Sequence, residues 1–161
     1  MEHKDNTITG TSNNKLTINI SILAIAITLF TFIITFNSEI LKVNDFLAIQ
    51  LICSIPILFS SCITATKLGY TKKIKIWKNY TFILFTIGQA LLINSIGILI
   101  AELVSSKLGI IFFVVSIITS ILYSIIRIKY EDYNQKSRFY KDLLNFLIVI
   151  LFGLLPILGI I

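Results

Sequence analysis

Five long runs of this sequence carry no charged side chain: Leu16–Phe36, Phe46–Thr66, Tyr80–Ala101, Leu108–Ile126 and Leu143–Ile161. Each holds roughly 19 to 22 residues, and an α-helix needs about 20 to cross the ~30 Å hydrocarbon core of a bilayer. Burial in a water-soluble fold is not an alternative. The 161 residues are 56% hydrophobic and 14% charged, against roughly 45–50% and 25% in soluble domains, and so small a domain has too little interior to hide the excess. The pattern predicts an all-α, polytopic integral membrane helix bundle with five transmembrane helices.

The first run is too long for a signal-peptide core and no small-residue cleavage site follows it, so it is expected to stay as an anchor. Residues 1–15, MEHKDNTITGTSNNK, are polar and unpatterned, the composition of a disordered tail. Residues 16–161 then make a single transmembrane domain. The connections 37–45, 67–79, 102–107 and 127–142 are too short for a soluble domain, so any activity is expected in the bundle or on its loops. The last run is barely long enough to span, and Pro156 beside Gly153 predicts a kink in it.

Lysine and arginine are distributed unevenly. Lys4 and Lys15 lie in the tail, Lys67, Lys72, Lys73, Lys75 and Lys78 in the second connection, and Arg127, Lys129, Lys136, Arg138 and Lys141 in the fourth. Only Lys42 and Lys107 fall in the alternate connections. The positive-inside rule puts the rich side, and with it the N-terminus, in the cytoplasm. Lys72, Lys73, Lys75 and Lys78 with Trp77 are expected to rest on anionic headgroups, each cation contributing ~1 kcal/mol. Orientation alone accounts for this charge, so no nucleic-acid partner is implied. Arg138, Tyr140 and Lys141 belong to the largest polar loop, RIKYEDYNQKSRFYKD, which mixes both signs and offers a surface for a partner protein.

Within the runs, small and polar residues recur at helical spacing. Thr17, Ser21, Ala24, Thr28, Thr31 and Thr35 share one face; Gln50, Cys53, Ser54, Ser61, Thr64 and Ala65 another; Thr86, Ala90, Asn94, Gly97 and Ala101 a third; and Gly109, Ser116, Thr119, Ser120, Tyr123 and Arg127 a fourth. Membrane helices pack through small residues and through hydrogen bonds from Ser, Thr, Asn and Gln, so these faces are expected to be the seams. Gly97-x-x-x-Ala101 resembles a small-x-x-x-small contact. Gln89 stands about 140° from Asn94 on the same helix and should meet a different neighbour; Gln50 is the expected partner of Asn94. Gln50, Gln89, Asn94, Gly97, Thr28 and Ser120 are therefore the packing or pathway candidates.

The chemistry that is missing is equally informative. No run holds Asp, Glu, Lys or His in its interior, which disfavours proton-coupled transport. The single His3 lies in the tail, Cys53 and Cys62 fall on opposite faces of one helix, and no phosphate-binding glycine loop occurs. Neither a catalytic residue, a metal site nor a cofactor is expected. The sequence predicts a small membrane protein that acts by association, as accessory subunit, assembly factor or partner-controlled effector, or else a self-associating pore lined by Ser, Thr, Asn and Gln. Heavy use of Ile, Lys, Asn and Phe resembles an AT-biased prokaryotic coding sequence, and the expected location is the cytoplasmic membrane of a bacterium or archaeon.

Overall fold

The computed structural model describes residues 2–68, 74–130 and 135–159, and the side chains of residues 13–68, 74–126 and 142–159. All regular structure among them is helical: α1 (Glu2–Asn37), α2 (Glu39–Val43), α3 (Asp45–Lys67), α4 (Ile74–Leu103), α5 (Ser106–Tyr130), α6 (Gln135–Val149), a π-turn (Ile150–Leu154) and α7 (Leu155–Ile157). Four stretches are long and apolar enough to cross a membrane: Asn13–Asn37, Asp45–Lys67, Ile74–Leu103 and Ser106–Ile126. Helix α1 begins at Glu2, so residues 2–15, whose composition reads as disordered, continue the first span as helix. Once a span is nucleated, each added residue needs to fix only its own backbone.

The fifth run is not among these four stretches. Within it Asp142–Ile157 is a shorter apolar helical stretch, continuous with the earlier part of α6 and with the π-turn. The sequence shapes its C-terminal end. Pro156 has no N–H to return to Phe152, and the helix widens just before it, so that the Leu155 N–H reaches Ile150 O, five residues back. Leu158 and Gly159 then donate to Leu154 O at 3.2 Å and Pro156 O at 3.1 Å. Gly159 closes the turn at φ 67°, a left-handed conformation that a residue with a Cβ rarely adopts.

The chain divides into two compact units, residues 1–89 and 90–161. In the first, α1 folds back on α3 through the short α2. Asn44 starts α3 by accepting the Leu47 N–H at 2.9 Å, the bond expected of an N-cap, and Asp45 favours the same end of the helix. Helix α3 buries Leu47, Leu51, Leu58 and Ala65 together with Gln50, Ser54, Ser61 and Thr64. The first half of α4 approaches it closely: a Cβ on Gly88 would stand 2.7 Å from Leu58 Cγ.

In the second unit the rest of α4 turns into α5 at Val104–Ser105, where Ser105 Oγ accepts the Leu108 N–H at 3.3 Å. The two helices cross at their small residues. A Cβ on Gly109 would lie 2.6 Å from Ala101 Cβ and 3.1 Å from Gly97 O, so Gly109 is what lets the backbones approach. Ala90, Phe113 and Val149 form the buried centre, with Ile117, Ile148, Leu154 and Ile157 packed around them.

Candidate functional site

An isolated amide at the depth of an apolar helix is costly unless it finds a partner, so the polar groups of the long helices are where function would be expected. In the first unit, Asn19 of α1 is buried and its Nδ2 donates to Ser61 Oγ of α3 at 2.7 Å, with Ser61 O at 3.4 Å. Asn19 is one of three buried residues, with Ala26 and Ile33, that recur every seven positions and form the α1 seam. This face is about 180° from the row Thr17, Ser21, Ala24, Thr28, Thr31 and Thr35 at 100° per residue, and all six of those residues are exposed. The expected seam of α1 is therefore on the wrong side.

The physical reason is local. Thr17, Ser21 and Thr35 donate to the carbonyls of Asn13, Thr17 and Thr31, one turn back on their own helix, at 3.0, 3.0 and 2.8 Å. A hydroxyl satisfied in this way needs no neighbour. Asn19 is instead turned inward, where its amide meets Ser61.

The second unit holds the largest fully buried polar side chain among the described residues. Asn94 on α4 has no exposed surface; its Nδ2 donates to Ile148 O at 3.2 Å, two residues before the π-turn. Its Oδ1 has no hydrogen-bond partner among the described residues. Around it the packing is set by glycine. The Phe113 ring lies where a Cβ on Gly97 would be, and also where a Cβ on Gly153 would be, while Asn94 Oδ1 lies 2.5 Å from that second position. Phe113, itself fully buried, is thus seated between two helix surfaces from which side chains have been removed. Gly97 and Ala101 face α5 as a small-residue contact. The partner of the Asn94 amide is Ile148, not the expected Gln50, which is buried within the first unit on α3.

Toward the charged end of α5 and α6 the contact becomes polar. Ser124 Oγ donates to Asp142 Oδ2 at 3.0 Å. One turn further in, Ser116, Ser120 and Asn145 share a cavity of about 20 Å³ with Ile93, Ile117, Phe146 and Val149. Of the face read from sequence on α5, Gly109 is buried and Ser116 and Ser120 half-buried, whereas Thr119 and Tyr123 are exposed. Phe113, Asn145 and Gly153 were missed by reasoning from polar spacing. Phe113 is apolar among apolar residues, and the signal that would have found it is its place one turn after Gly109 on the same face.

The remaining candidates are dispersed. Gln89 is half-buried and Thr28 exposed. Lys75 and Lys78 are exposed on the first turns of α4, and the Trp77 ring packs edge-on to Tyr80 with centroids 6.4 Å apart. Lys72 and Lys73 lie outside the described residues, as do the side chains of Arg138, Tyr140 and Lys141 on α6. Cys53 is exposed and Cys62 buried. Among the described residues, no three His, Cys, Asp or Glu side chains gather as a metal site. No protein-family model, curated protein or solved structure matches this chain.

Proposed function

We propose that this chain is a small multi-pass protein of the cytoplasmic membrane of a bacterium or archaeon that acts by association within the membrane, as an accessory subunit, assembly factor or partner-controlled effector, and not by catalysis. The uneven burial of the long helices carries this reading. The apolar windows of α1 and α5 are only 17% and 11% buried within the chain, against 44% for α4. Few residues of these two helices are fully buried by the rest of the chain. On α1 the exposed surface includes the row from Thr17 to Thr35, whose small side chains allow another helix to approach closely.

In this reading the N-terminus and the basic connections are cytoplasmic by the positive-inside rule. Helix α4 is 30 residues long, about 45 Å at 1.5 Å per residue, so its first turns extend beyond the hydrocarbon. Lys75, Trp77, Lys78 and Tyr80 then sit at the level of anionic headgroups. The fifth run, 143–161, enters the membrane from the cytoplasmic side and is barely long enough to cross it.

A self-associating pore is the second reading, favoured by the half-buried Gln89 and the exposed hydroxyl row on α1. The space beside Asn94 weighs against a path through the second unit, because Phe113 fills it. The test is the native mass of the full chain, extracted gently from its own membrane at endogenous level. A stoichiometric second protein supports association. A homo-oligomer that conducts ions in liposomes, and stops conducting with Gln89→Leu, replaces it with the pore.

A further inference from the structure

We propose that the cavity between α5 and α6 is a binding site for a single water molecule, held by Ser116, Ser120 and Asn145. The register of the two helices leads to it. Along α6 the polar groups Asp142, Asn145 and Ile148 O step by three residues, and along α5 Ser124, Ser120 and Ser116 step back by four. The outer rung is a direct bond, Ser124 Oγ to Asp142 Oδ2 at 3.0 Å. At the inner end, Ile148 O accepts from Asn94 Nδ2 at 3.2 Å. At the middle rung, among the described residues, neither the Ser120 hydroxyl nor the Asn145 amide bonds another protein group, and both line the same cavity.

Size and chemistry select the occupant. The cavity measures about 20 Å³, and one water requires roughly 10–15 Å³ on the same measure together with two to four polar partners. Ser116 Oγ already donates to Phe112 O at 2.8 Å, so it is left as an acceptor. The water accepts from Ser120 Oγ and donates to Asn145 Oδ1 and Ser116 Oγ. The other walls, Ile93, Ile117, Phe146 and Val149, offer nothing to a larger polar ligand. The water completes a polar row from Asp142 inward to Ile148 O, and it ties α6 to α5 where neither helix supplies a direct side-chain bond.

The test uses the full chain, ¹⁵N-labelled in lipid nanodiscs, and reads magnetisation transfer between water and side-chain amides. The Asn145 amide, assigned by its loss in Asn145→Leu, is expected to show a cross-peak with the sign of a long-lived bound water. The Asn94 amide, which lies outside the cavity, is expected to show none. Ser120→Val, which removes the hydroxyl and adds a methyl group, should abolish the Asn145 signal. If that variant does not fold, Ser120→Ala, which adds no bulk, should at least halve it. No cross-peak at Asn145 in the native chain overturns the proposal. So does a cross-peak that survives both substitutions unchanged, because the water would then arrive from outside the site.

Discussion

Asn19 and Asn94 are both buried amides on long apolar helices, yet they are held in different ways. Asn19 meets a side chain, Ser61, across the α1–α3 contact. Asn94 meets a backbone carbonyl, its Oδ1 has no hydrogen-bond partner among the described residues, and it is enclosed by Phe113 and Gly153. The first arrangement is a pair of exchangeable partners, and its worth is that of one interhelical bond. The second is held by shape, because two glycines and one aromatic ring fix where α4, α5 and the π-turn meet. Stability in residues 90–161 should therefore respond to volume, and in residues 1–89 around Asn19 to hydrogen bonding.

The sharpest break of this comparison is Phe113→Ala. Emptying a fully enclosed aromatic site costs about 3–5 kcal/mol, and steric-trap unfolding in bilayers should register the whole of it. Amide exchange should report the loss in residues 90–161 and leave α1 and α3 protected. Equal loss of protection in α1 and α3 would show that the two units do not unfold separately. Next in size, Gly153→Ala or Gly97→Ala places a methyl group on the Phe113 ring and should cost about 1–3 kcal/mol, as overpacking does. Combining either with Phe113→Leu should cost less than the sum of the two single changes, since the smaller side chain vacates the overlap. Strict additivity would mean that the glycines matter for some reason other than the ring.

The Asn19 contact should behave otherwise. A double-mutant cycle of Asn19→Ala and Ser61→Ala should give a coupling of about 0.6 kcal/mol, the average for interhelical polar bonds in membranes, and no more than about 1.7 kcal/mol. A coupling above that limit would make the first unit as dependent on one node as the second. The smallest effect is expected at Thr28→Leu, within about 0.5 kcal/mol for the isolated chain, because the residue is exposed. Its readout is oligomeric mass. A shift there with no change in unfolding would mark the outer face of α1 as the contact with another chain.

The long helices were legible because absence of charge over some twenty residues has few structural meanings. The orientation of their faces was less so. Hydroxyl rows on α1 and α5 looked like seams, but Ser and Thr can bond to the preceding turn of their own helix, so their presence does not say which way a face points. Amide and glycine positions were better guides. Asn94, Gly97 and Gly109 all sit at contacts, because an amide needs a partner from elsewhere and a glycine in a helix has a cost that close packing offsets. The irregular end of the last segment followed from Pro156, although the widened turn before it did not announce itself beyond the neighbouring Gly153.

What the sequence determined by itself is the helical class and the presence of four long apolar helices. Those properties depend on composition and on spacing along one chain. Which face of α1 meets α3, which carbonyl receives Asn94, and how Phe113 comes to rest between Gly97 and Gly153 were decided by tertiary structure alone. Each depends on the shape of a surface contributed by residues far apart in the chain, and no local pattern encodes the fit between two such surfaces.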